Sequence, residues 1–197
     1  LLAAACSGVI AFALACVAAL GGSVADAAVS WLVDLVMGIP HIVLLILVSY
    51  ALGRGAVGVT VGVALTHWPS LARVLRAEIV QLREQPWLAS ARAAGATPWQ
   101  VVRGHVLPAV LPQLLVGVVL MFPHAILHEA SITFLGFGLS PDEPAVGVIL
   151  SESMQYLSAG YWWLAALPGA ALLVVVLAFA CLGSLARALA SARSSQR

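Results

Sequence analysis

The chain has 197 residues, of which 62% are hydrophobic, and its 9% of charged residues is about a third of what a soluble domain carries. It has no lysine, and its arginines and acidic residues nearly balance at a net charge of +1. A water-soluble globule is excluded. So is a nucleic-acid binder, because the arginines are scattered between apolar stretches and form no single basic face.

Five runs contain no formal charge: 1–25, 35–53, 55–72, 104–128 and 153–186. Roughly 20 apolar residues cross the hydrocarbon core as a helix, since every backbone hydrogen bond must close within the segment. Each run is therefore read as a membrane span. Their orientation follows from the charges between them. Segment 73–103 holds Arg73, Arg76, Arg83, Arg92 and Arg103 against Glu78 and Glu84, and the tail holds Arg187, Arg193 and Arg197. Segment 129–152 holds Glu129, Asp142, Glu143 and Glu152 and no base. By the positive-inside rule the two basic segments are cytoplasmic and the acidic one is external.

The first span, 1–20, then starts outside. Residues 31–52 run outward to an external turn at Gly53-Arg54-Gly55, where Arg54 goes against the rule, and 55–72 runs back in. Run 104–128, extended to about Leu135, leads outward again. The loop 136–160 is external, and a span within 161–186 returns to the basic tail. This order requires one more crossing before residue 1. A signal peptide over 1–20 is the alternative, but the stretch lacks a basic leader and a convincing cleavage site. No linker or repeat divides the rest, so 1–197 is expected to be a single membrane domain. Cys6, Cys16 and Cys181 all lie in apolar runs without a CxxC, and are read as small buried hydrophobes.

The cytoplasmic segment from Arg73 to Pro108 is amphipathic and interrupted by Pro86, Gly95 and Pro98. It predicts two or three short helices on the membrane face, within a coupling loop over 73–108. Thr97 before Pro98 makes a helix start, with Thr as the cap and Pro in the first turn, and Gly95 suits the end of the preceding helix. Ala91, Ala93, Ala94, Val101 and Val102 need cover, which suits a knob that docks a soluble partner.

Ala91-Arg92-Ala93-Ala94-Gly95-Ala96, followed by His105-Val106-Leu107-Pro108, resembles the EAA loop of ABC importer permeases. That pattern is EAA, three residues, Gly, nine residues, Ile, one residue, Leu-Pro, and counting from Gly95 the spacing matches. His105 in place of Ile is similar to the dipeptide, oligopeptide and nickel transport family, C-type subunit. So are Gly21, Asp26 and Asp34 in their order, Trp68-Pro69, and the run from Glu129 to Gly138. The resemblance covers essentially the whole chain. One departure is that the motif's acidic position is Ala89, followed by Ser90, which removes any salt bridge that the family's Glu would make.

The resemblance implies an all-α polytopic membrane protein of the ABC type I importer permease fold, with five of its six transmembrane helices in this chain. It implies a bacterial inner-membrane location and a non-catalytic subunit. It also implies ATPase coupling through Ala91, Arg92, Ala93, Gly95, Ala96, His105, Leu107 and Pro108. The implied partners are a second homologous permease, two ATPase subunits that carry ATP-Mg, and an extracytoplasmic solute-binding protein. No cofactor is expected on this chain, which has neither GxxxxGK[ST] nor a lysine to meet a phosphate. The loop 136–160 suits a re-entrant or docking element. The cargo is a peptide, nickel or a nickel chelate.

Five histidines stand out in so uncharged a chain. His124 and His128, four apart, share a helix face with Glu129 beside them. Imidazole suits Ni(II), Cu(II) or Zn(II), and ionisable groups inside a membrane mark substrate paths. These three are the candidate substrate-path residues, and His124 and His128 the candidate metal ligands, weighed against plain packing roles. His41 and His67 read as single hydrogen-bonded residues near span ends, and His105 as structural. A membrane metallohydrolase would need HExxH, and His128-Glu129-Ala130-Ser131-Ile132 lacks the second His. A passive channel remains the other alternative.

Overall fold

The computed structural model describes residues 2–194. Ten α-helices follow one another: α1 (Leu2–Leu20), α2 (Ser23–Gly38), α3 (His41–Ala51), α4 (Gly55–Thr66), α5 (Trp68–Arg83), α6 (Pro86–Ala93), α7 (Pro98–Val101), α8 (Leu107–Phe134), α9 (Val146–Leu157) and α10 (Trp163–Ser194). A π turn, Val102–Val106, joins α7 to α8. The all-α class is as expected, with no strand among the described residues. Of the basic tail, the Arg193 side chain and Arg197 lie outside them.

Three stretches are long and apolar enough to cross a membrane: Leu2–Leu20, Pro98–Phe134 and Trp163–Ala188. The expected spans 31–52 and 55–72 are not continuous helices, which corrects the reading of five regular spans. The first breaks at Gly38-Ile39-Pro40, where α2 and α3 meet at 94°. Proline disfavours helical backbone at the residue before it, and Ile39 is extended at φ −89° and ψ 135°. The second breaks at His67. Pro69 has no N–H to give to the Leu65 carbonyl, and the Trp68 indole Nε1 donates to that carbonyl instead at 2.9 Å. Both breaks thus have a proline as cause.

Between the breaks lies a short hairpin. With 11 residues in α3 and 12 in α4, each arm is about 16–18 Å long, roughly half the hydrocarbon thickness. The arms pack closely because Gly58 and Gly62, one helical turn apart, face α3. A methyl at Gly58 would lie 2.8 Å from the Ser49 carbonyl oxygen, and one at Gly62 2.9 Å from Leu45 Cδ1. Small residues spaced this way let helix backbones approach within a bilayer, where packing and not water exclusion holds helices together. At the hairpin tip Arg54 lies 5.1 Å from the Tyr50 ring centre and 5.6 Å from that of Phe137. The arginine that goes against the charge rule is held at this tip by aromatic faces.

On α1 the same logic gives a stripe of Ala4, Ala11, Ala15 and Ala18, all buried in one core with Leu71, Leu75 and Ile79 of α5. Asp34 and Asp26 of α2 pair with Arg73 and Arg76 of α5, and the Arg76 pair is bidentate. The Arg83 guanidinium donates to the Ala19 carbonyl at the end of α1 at 3.1 Å, a basic cap on that helix. Beyond α8, α9 folds back against it. Gly147 sits where a methyl would come 2.8 Å from Thr133 Cβ. The long α10 leaves Leu167, Leu173, Val174, Leu182 and Leu185 exposed, as a surface meeting lipid or other membrane helices does.

Candidate functional site

The two helix breaks face each other and open a cavity of about 540 Å³. Its wall runs from Val36 to His41 across the first break and includes Thr66, His67, Pro69 and Ser70 from the second. Met121, His124 and His128 of α8 close the third side. Among the described residues no Asp, Glu, Lys or Arg lines it. His41 is the first residue of α3 and His67 the residue after α4, so both stand at the base of the half-length hairpin, about 16–18 Å from its tip. Sites of secondary transporters are likewise built from discontinuous helices.

The imidazoles of His41, His67 and His128 form one cluster. Ring centres are 4.4 Å apart for His41 and His67, 4.5 Å for His41 and His128, and 5.1 Å for His67 and His128, all edge to face. One ring nitrogen of each lies within 4.8 Å of one nitrogen of each other ring. Backbone carbonyls orient two of them. The Nδ1–H of His67 donates to Val63 O at 3.0 Å, with Thr66 Oγ1 3.2 Å away. The Nδ1–H of His128 donates to His124 O at 2.7 Å. Since a carbonyl only accepts, each neutral ring carries its lone pair on Nε2. The Nε2 atoms of His41 and His67 are buried with no hydrogen-bond partner.

Of the residues singled out in the sequence, His128 joins the cluster, whereas His124 lines the cavity one turn away with its ring exposed. Glu129 accepts from Thr133 Oγ1 at 2.9 Å, and Thr133 Oγ1 in turn accepts from Leu139 N–H at 3.1 Å. Its carboxylate is therefore engaged with the turn after α8 and lies outside the imidazole group. A step of one residue rotates a side chain about 100° around a helix, which takes Glu129 off the face of His128. His41 and His67 were missed as partners because they are 26 residues apart in sequence. Gly38-Ile39-Pro40 and Trp68-Pro69, the two breaks that bring them together, were the available signal.

Segment 73–108 forms the expected short helices. Thr97 Oγ1 accepts from the Gln100 N–H at 3.3 Å while Gln100 Oε1 accepts from the Thr97 N–H at 2.8 Å, a reciprocal cap on α7. Gly95 at φ +86° ends the turn after α6, as its place in the sequence implies. Leu88 anchors α6 in the α1–α5 core, fully buried. Ala91 and Ala96 are half-buried, Ala93, Gly95 and Pro108 are exposed, and Leu107 is half-buried. The Arg92 side chain lies outside the described residues. His105 is exposed, its ring 5.6 Å from that of Trp87. Val101 is covered, but Ala93, Ala94, Trp87 and Trp99 are not, with Trp99 at 68% exposure. Two tryptophans and two alanines of this segment are thus left uncovered among the described residues.

Residues 10–193 match the family described as binding-protein-dependent transport system inner membrane component. The chain is 36% identical over 150 residues to a protein of Brucella suis biovar 1 (strain 1330) that carries the name of a peptide transport system permease protein, covering 76% of this chain and 50% of that one. It is 33% identical over 171 residues to the nickel transport system permease protein NikC of Escherichia coli (strain K12), covering 85% of this chain and 60% of that one. The chain thus spans little more than half the length of these relatives. Among solved structures it resembles the MetNI methionine ABC transporter in inward-facing conformations, with a TM-score of 0.69 over 94% of this chain and 88% of that one. At 24% identity that likeness is one of fold. The chain belongs to the family of binding-protein-dependent transport system inner membrane components.

Proposed function

We propose that this chain forms one half of the translocation path of an ATP-driven ABC importer for peptides, nickel or nickel chelates. The observation that carries the proposal is the cavity at the facing breaks of α2–α3 and α4–α5. A path must offer polar groups at membrane depth, and irregular backbone is tolerated there only where protein covers it or water fills the space. A second, homologous permease completes the wall, and an extracytoplasmic binding protein delivers cargo to the external side, near the 136–160 loop.

Two ATPase subunits bind ATP-Mg, and this chain carries no nucleotide. Coupling runs through the 73–108 loop, where Trp87, Ala93, Ala94 and Trp99 present the docking face and Ala91, Gly95, Ala96, His105, Leu107 and Pro108 set its shape. Ala89 in the acidic position leaves this docking to shape and apolar contact. A buried aromatic anchor at such an interface contributes about 2 kcal/mol or more.

The test is solute uptake by the complete complex in proteoliposomes. Uptake must require ATP, and the double variant W87A/W99A must lose ATP-dependent uptake while still inserting into the membrane. Equal uptake with and without ATP would make the path a passive channel and overturn the proposal.

A further inference from the structure

We propose that His41, His67 and His128 form a cation site in the wall of the path, which takes a divalent transition-metal ion of the Ni(II), Co(II) and Zn(II) class as cargo in transit. The inference rests on the importer reading above and narrows its cargo.

Four observations support it. Three imidazoles from three separate elements converge, with ring nitrogens within 4.8 Å of one another. Buried polar atoms in proteins are normally hydrogen-bonded, yet two of the Nε2 atoms here are buried and unpartnered. Backbone carbonyls hold the Nδ1–H of His67 and of His128. That is the outer-shell arrangement that fixes a metal-binding imidazole with its other nitrogen free. The cluster also opens on a cavity large enough to admit an ion and water, with Met37 and Met121 in its wall.

The chemistry of the wall selects the cargo. Neutral imidazole is a borderline ligand that suits Zn, Cu, Fe and Ni, whereas hard Mg and Ca seek carboxylate and carbonyl oxygen. Among the described residues no carboxylate lines this cavity. The charged ends of a peptide would find no counter-charge in this wall, but a cation finds lone pairs. In a tetrahedral site with bonds of about 2.0–2.1 Å the nitrogens stand roughly 3.3 Å apart, which the 4.8 Å bound on the three rings accommodates. With three ligands from this chain, the ion keeps positions for water and can be released. A chelate with every position filled cannot enter the site.

The experiment uses the complete transporter, purified free of metal in lipid nanodiscs and titrated with NiCl2, with CoCl2 as optical reporter through its ligand-field bands. Saturable binding of one ion per copy of this chain is expected, and fully coordinated Ni(II)-EDTA should not bind. H67Q should weaken Ni(II) binding by about tenfold or more, by analogy with the losses seen at outer-shell positions, and H41Q/H67Q/H128Q should remove it. H41Q alone, at a half-buried position in the first turn of α3, is the variant most tolerant for folding and should also weaken binding. Co-elution of all subunits verifies assembly of each variant. Absence of saturable binding in the parent complex, or unchanged Ni(II) affinity in the triple variant, overturns the site and leaves the importer reading standing. ATP-independent uptake in the proteoliposome assay overturns the importer reading instead.

Discussion

The close approach of α3 and α4 sets the spacing at the base of the hairpin, and Gly58→Ala tests it. The new Cβ would lie 2.8 Å from the Ser49 carbonyl oxygen. Ordinary contact begins at about 3.4–3.5 Å, so the deficit is about 0.6 Å. The obstacle is backbone and cannot rotate away, so the two helices must part by about that amount. Overpacking of this kind costs about 1–3 kcal/mol, while exchanging Gly for Ala in a helix returns up to about 1 kcal/mol. A net loss of about 0–2 kcal/mol is expected. Gly104→Ala isolates the second effect, because nothing lies within 4 Å of a methyl there, and it should be neutral or stabilising. Gly62→Ala should fall between, since the atom it meets is the end of the Leu45 side chain. Unfolding in mixed micelles of rising SDS fraction measures all three. If G58A proves as stable as G104A, the close hairpin is not what holds these helices in place.

Two further outcomes are expected. Thr97→Val removes the reciprocal cap of α7 and should lower the local stability of its first turn by about 1 kcal/mol. Faster hydrogen exchange of the Gln100 amide reports that loss. For the Asp26–Arg76 pair, whose side chains are 33% and 37% exposed, a double-mutant cycle with D26N and R76Q should give a coupling of about 0.2–1 kcal/mol. That coupling should shrink as salt is raised from low ionic strength.

Legibility from sequence divides along the range of the interactions. Thr97 and Gly95 act on residues within three or four positions, so their roles could be read directly and the structure agrees. The charge segments left one pairing unread. Asp26 and Asp34 meet Arg76 and Arg73, which sets α2 beside α5, a pairing that the charges alone did not reveal. What failed was the assumption that an uncharged run is a straight span. Pro40 and Pro69 sit inside two such runs, and a hydropathy count sees no difference between a continuous helix and a broken one. The His cluster followed from that failure. Four-residue spacing put His124 and His128 on one face, but only the turned-in α3–α4 hairpin brings His41 and His67 to His128, leaving His124 at the rim and Glu129 with Thr133.

The 16 residues of α5 form one rod of about 24 Å, from Trp68 beside His67 to Arg83 beside α6. Leu88 of α6 shares a core with Leu75 and Ile79 of that rod, so α6 is packed into the same core as the rod. A lever of this length magnifies small angles: a tilt of about 10° pivoting at its Arg83 end sweeps the His67 end through about 4 Å. That sweep is comparable to the present separation of the His41 and His67 ring centres, 4.4 Å. Because α1 shares a core with this rod through Ala11, Ala15 and Ala18, a tilt that carries α1 with α5 would change the spacing of the imidazole cluster.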